Sequence, residues 1–157
     1  MSLHEHRYEL TVRWTGNSGS GTASYRGYSR DHDILIPGLP ALKGSADPTF
    51  HGDRERYNPE QLLLAALAQC HMLSFLHVAV KHGVVVTDYR DEAFGLMTLN
   101  RDGSGQFERV TLRPHVTVAD AAQVELAGQL HHEANQLCFI ARSVNFPVEH
   151  EPVTLTA

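Results

Sequence analysis

Cysteine is scarce in this chain of 157 residues: there are two, Cys70 and Cys138. That is too few for the disulfide framework of a small secreted protein. Basic charge is also short, with 13 Lys and Arg against 18 Asp and Glu and a formal charge of −5. No basic patch dominates, so no nucleic-acid partner is expected. No CxxC and no HxxxH occurs, so the tight ligand spacing of a metal site is missing although His number 11. No basic region followed by an apolar core opens the chain, which predicts no secretory signal. The longest apolar run, Leu62–Val80, approaches spanning length at 19 residues but is interrupted by Gln69, His71, Ser74 and His77. A membrane partner is therefore not expected. Two cysteines without an export signal point to reduced thiols and a cytoplasmic location.

What is present fits one domain over residues 1–157, with 42% hydrophobic and 20% charged residues. His6–Trp14 alternates, with Tyr8, Leu10, Val12 and Trp14 on one side, and predicts a half-buried strand. NSGSG (Asn17–Gly21) predicts a turn and Thr22–Tyr28 the returning strand of a hairpin. Asp33–Pro37 is a further short apolar run, and Pro37–Tyr57 reads as a long irregular loop.

The segment NPEQLLLAALAQCHMLSFLHVAVKHG, Asn58 to Gly83, predicts a helix. Asn58 is a good N-cap, Pro59 suits the first helical position and Glu60 complements the helix dipole. Gly83 supplies the left-handed stop. Its apolar residues cover most of the circumference, more than a domain of this size easily buries, and a subunit partner would supply the missing cover. Beyond it, VVVTDYRDEAFGLMTLN and Phe107–Val118 read as strands around a turn at Arg101–Gly105. Asp120–Ala134 reads as a helix, Cys138–Ser143 as a turn or short helix, and Phe146–Thr156 as a closing strand. The fold class is α+β, with an antiparallel sheet covering helices.

At about 100° per residue, Cys70, Ser74, His77 and Lys81 share one stripe of the first helix, and His71 points away from it. HHEANQLC sets His131 and Cys138 seven apart in the second helical segment. If the two stretches face each other, Cys70, His77, His131 and Cys138 converge. Spacing leaves three readings open: two inert core thiols, a Cys/His metal site, or a redox pair. The last needs a thiol made acidic by a nearby cation, because a mid-helix position gains little from the helix dipole.

NPEQLLLAALAQCH, with CFIARSVNFPV about seventy positions on, resembles the OsmC/Ohr family of osmotically inducible and organic hydroperoxide resistance proteins. The resemblance extends over nearly the whole chain. It implies an intertwined homodimer with antiparallel sheets wrapped around long central helices, and thiol-dependent reduction of organic hydroperoxides with no cofactor and no metal. It matches Cys70 to the peroxidatic cysteine and Cys138 to the resolving one, with an external dithiol as reductant. Glu60 matches the carboxylate that steadies an arginine against the thiolate, by a bidentate pair. Arg26 and Arg30 are candidates for that arginine; Arg30, nearer the loop and between Tyr28 and His32, is favoured, and Arg54 and Arg56 are expected in solvent. His71 directly after Cys70, and CFIARS in place of a Cys-Pro pattern, set the chain in a less characterised branch. The competing class is a dimeric module that holds an apolar ligand or a metal in a Cys/His cleft without turnover.

Overall fold

In the computed structural model, which describes residues 4–157, the chain forms two units, Met1–Leu62 and Leu63–Ala157. The first holds a three-stranded antiparallel sheet of β1 (Thr11–Trp14), β2 (His32–Leu35) and β3 (Leu42–Gly44). One charged row pins its register. Arg13, Asp33 and Lys43 are direct cross-strand partners, and Asp33 is 3.7 Å from Arg13 and 2.7 Å from Lys43. Opposite charges at paired positions favour this register over a slip.

The expected hairpin return at Thr22–Tyr28 is not a strand. That stretch is turns and bends, and β2 is the partner of β1. Glycine and serine there leave no alternating apolar face to pair. The segment folds back locally instead: Thr15 N–H donates to Asp31 O, Ser29 N–H to Gly16 O, and the Trp14 indole to Ser29 O at 2.8 Å. A Cβ at Gly16 would collide with the Ser29 carbonyl, so this approach requires glycine. The predicted loop 37–57 contains β3 and a short 3-10 turn, Pro48–Phe50, capped by Asp47. Tyr8, Leu10, Val12 and Trp14, expected half-buried, are exposed within the chain, Tyr8 by 89%.

The long helix α1 runs Pro59–Lys81, as its signals require. Asn58 Oδ1 accepts from Gln61 N–H, and Gln61 Oε1 accepts from Asn58 N–H, a reciprocal capping box. Gly83, at φ 69°, ends it. By length and composition alone α1 could cross a membrane. Here Leu67, His71, Phe75, Val78 and Ala79 bury one face of it as a core helix.

The second unit adds β4 (Val86–Asp91), β5 (Phe94–Leu99), β6 (Gly105–Leu112), β7 (Pro114–Val118), α2 (Val124–Leu137), β8 (Val148–His150) and β9 (Val153–Thr156). Each of the three long strands expected here is broken once. The halves form two sheets, β4-β7-β9 and β5-β6-β8, each with one antiparallel and one parallel pairing. The corner is chemical. Asp91 accepts from Arg113 N–H at 2.7 Å, Arg113 Nε donates to Glu151 at 3.0 Å, and Pro114 and Pro152 follow the break. Proline removes a ladder donor, so the pairing can change sheets there. The architecture is α+β with mixed sheets rather than purely antiparallel ones.

Two apolar clusters follow. Phe75, Val78 and Ala79 of α1 meet Val116 and Val118 of β7 and Ala127, Leu130 and Ala134 of α2. Leu67 meets Val110 and Leu112 of β6, with Ile140, Val144 and Phe146 beside them. Phe75 is wholly buried. Phe75→Ala is expected to cost about 3–5 kcal/mol of unfolding free energy, and Asn58→Ala about 1 kcal/mol through the lost cap. Urea unfolding monitored by far-UV circular dichroism measures both.

Candidate functional site

Residue 138 stands where α2 stops. Its backbone is extended, its N–H still reaches Asn135 O, and its side chain turns inward, 1% exposed. Cys138 Sγ accepts from Ala141 N–H at 3.4 Å, so the short 3-10 turn that follows helps fix the sulfur. Cys70 of α1 is its neighbour and acts on its ionisation. Burial first, and then the neighbouring Cys70 thiol, push the Cys138 thiol up to about 11. Both cysteines are free thiols, and Cys70 is partly exposed while Cys138 is buried.

Cys70 opens onto an apolar groove of about 390 Å³, lined also by Leu73, Ser74, His77, Leu137 and Phe139. The stripe read from the sequence is therefore real for Cys70, Ser74 and His77, and the two thiols converge. His131 does not join them. Its ring bonds to His71 at 3.0 Å, in the core. The four-residue convergence thus divides into a thiol pair with His77 nearby and a separate histidine cluster. His150 of β8 belongs to that cluster, with its ring centroid 4.2 Å from that of His71. It was missed from the sequence, although alternation with Val148 put it on an inward position of the closing strand. Among the described residues no group of three or more His, Cys, Asp or Glu has an arrangement that could hold a metal ion.

Within the first unit, Arg30 and Glu60 line one cavity of about 420 Å³, with Trp14, Tyr28, His32 and Phe50. Arg30 is held by its own loop. Nη1 donates to Tyr28 O at 2.7 Å and Nη2 to Tyr25 O at 2.6 Å, with the guanidinium 4.0 Å from the Tyr28 ring centroid and 4.6 Å from that of Tyr25. A guanidinium over aromatic faces is attracted by the ring quadrupoles. The bidentate Glu60–Arg30 pair is not what holds the guanidinium; Glu60 Oε2 is buried with no hydrogen-bond partner. Arg26 is exposed. Arg56 is not solvated as expected: its side chain is 24% exposed and lies 3.4 Å from Asp31 and 3.7 Å from Asp53.

Residues 51–152 match the family model described as OsmC-like protein. The chain belongs to the OsmC-like family. An uncharacterized protein of Bacillus subtilis strain 168, YmaD, is 26% identical over 150 residues, 94% of this chain and 92% of that protein. The solved structure of the OsmC-like protein VCA0330 of Vibrio cholerae, itself of unknown function, superposes with a TM-score of 0.84 at 31% identity, covering 95% of this chain and all of that one. The organic hydroperoxide resistance protein OhrB of Bacillus subtilis superposes at 0.64 and 20% identity, over 94% of this chain and 98% of that chain, a likeness of fold. The OsmC-like resemblance read from the two cysteine motifs is thereby established, in a branch whose relatives include uncharacterised proteins.

The two thiols differ enough to be told apart by alkylation. Burial disfavours the Cys138 thiolate and hides its sulfur, while Cys70 is partly exposed. Iodoacetamide at mildly alkaline pH is expected to modify Cys70 first and Cys138 only after unfolding, as read by peptide mass mapping over time.

Proposed function

We propose that this OsmC-like protein is a thiol-dependent peroxidase that reduces organic hydroperoxides. The observation that carries the reading is the proximity of Cys70 and Cys138, two residues sixty-eight positions apart, beside an apolar groove. Fold relatives named for organic hydroperoxide resistance, in Bacillus subtilis and Legionella pneumophila among others, support the same chemistry. Cys70, the more accessible sulfur, attacks the distal oxygen of the peroxide. The O–O bond breaks, the alcohol departs with a proton, and Cys70 becomes a sulfenic acid. The Cys138 thiol then attacks that sulfur, forming the Cys70–Cys138 disulfide with loss of water. An external dithiol returns both thiols by exchange.

Arg30 supplies the positive charge that favours the thiolate and the leaving oxygen, and Glu60 is a carboxylate lining the same cavity. The partly buried setting of Arg30, against exposed Arg26, supports that assignment. The working form is an intertwined homodimer in the cytoplasm, where free thiols persist. Support for the dimer comes from apolar surface that the single chain leaves bare. On α1 Leu73 is 60% and Val80 78% exposed, and Val12 and Trp14 of the first sheet, with Tyr8 and Leu10 before it, are uncovered.

Turnover of cumene hydroperoxide with a dithiol tests the reading. Cys70→Ser is expected to abolish it, Cys138→Ser to allow one reaction per protein and then stall, and Arg30→Ala to slow it about 10²–10³-fold, the scale of losing one transition-state donor. Unchanged turnover in Cys70→Ser would end the proposal. No turnover in the wild type, with stoichiometric ligand bound at the groove, favours the binding module. Light scattering at micromolar concentration is expected to return twice the monomer mass.

A further inference from the structure

Three imidazoles meet inside the second unit, one from each of three elements: His71 from α1, His131 from α2 and His150 from β8. His71 Nε2 and His131 Nδ1 lie 3.0 Å apart in a hydrogen bond, and the His150 ring packs 4.2 Å from that of His71. Phe75 stacks on His131 at 4.1 Å. His71 is 1% and His131 3% exposed.

A bonded pair of neutral imidazoles contains one N–H and one lone pair more than the bond uses, at opposite ends. Those ends are His71 Nδ1 and His131 Nε2, and both are buried without a partner, as is His150 Nε2. The cluster is therefore unsatisfied at its ends in either tautomer. Adding a proton places a cation there, and a second proton removes the only acceptor in the His71–His131 bond.

No carboxylate compensates. The charged groups acting on the three rings are one another. Glu149 of β8 and Glu151 just beyond the strand flank His150, one accepting from Thr111 and the other paired with Arg113. On the helices, Lys81 and His82 of α1 are engaged with Glu133 of α2. From β4, Tyr89 reaches the cluster through Phe75, and burial raises both its hydroxyl and the nearby Asp91 carboxyl towards their neutral forms. Cys70 and Cys138 are carried by the same two helices, Cys70 next to His71 and Cys138 two turns beyond His131.

The geometry points to His71, His131 and His150 as positioning residues for the thiol pair: a neutral clasp between α1, α2 and β8 that protons force open, moving Cys138 away from Cys70. Burial and the neighbouring rings lower His71 to about 3 and His131 to about 4, and burial lowers His150. These folded values lie below the ordinary histidine value, so the opened state binds more protons. The clasp's contribution is then whole above pH about 6.5 and is lost as the pH falls towards the folded values.

A dipyridyl disulfide tests this without peroxide, so the outcome is independent of the peroxidase reading, and the reagent still reacts in acid because its ring becomes protonated. One thiol attacks it, forming a mixed disulfide and releasing one thiopyridone. The second thiol then displaces the other thiopyridone and closes the Cys70–Cys138 disulfide. Substoichiometric reagent on the whole protein is expected to release two thiopyridones per molecule of reagent at pH about 7 and close to one at pH about 4, with far-UV circular dichroism retained. His131→Phe combined with His150→Phe is expected to keep closing in acid, its midpoint lowered by at least about one pH unit. His71→Gln with His131→Gln, which keeps polar groups in place, serves should the aromatic pair not fold. A wild-type ratio that stays at two throughout, or one that falls identically in the folded variants, overturns the proposal.

Discussion

The second unit depends on the burial of one face of α1. Leu67 and Phe75 lie eight residues apart on that face and are wholly buried, in two different clusters. Because one rigid helix serves both, the bend between β4-β7-β9 and β5-β6-β8 is tied to the length between those two side chains. The corner bonds of Asp91, Arg113 and Glu151 finish the bend, but they are partly exposed and of modest strength beside two filled apolar contacts. Cys70 falls between the two anchors, which makes its position a by-product of core packing rather than of a loop.

Local chemistry was the legible part of the sequence. The cap at Asn58, the stop at Gly83, the stripe of Cys70, Ser74 and His77, and the turn at Arg101–Gly105 each rest on interactions within a few residues, and all are present. The sheet corners were not read, because alternation with a period of two continues unchanged through a bend. Pro114 and Pro152 were the available signal. The hairpin at Thr22–Tyr28 failed for the reverse reason: a turn was present, but its second arm had no apolar face. The partnership of His71 with His131 needed the relative rotation of two helices, which no spacing within either one supplies.

The charged groups of the first unit are not held by the bidentate pair that the resemblance implied. Arg30 rests on two tyrosine carbonyls and two tyrosine rings, and Glu60 carries an unpartnered buried oxygen. A guanidinium held by neutral groups keeps its full charge for an incoming anion, whereas one paired to a carboxylate is already partly neutralised. The first unit thus offers a cavity in which the Arg30 cation, held by neutral groups, shares the lining with aromatic rings and with Asp47 and Glu60.

The bare row on the first sheet has a consequence for the life of the chain before it is fully assembled. β1 is an edge strand whose Val12 and Trp14 are exposed, and Tyr8 and Leu10 just before it are exposed as well. Such an edge invites strand-to-strand adhesion between newly made chains. Arg7, Glu9 and Arg13 alternate with those residues and act as gatekeepers, since stacking a second copy in register would bring like charges together. Solubility during synthesis therefore draws on three charged side chains, of which Arg13 also pairs with Asp33 in the finished sheet.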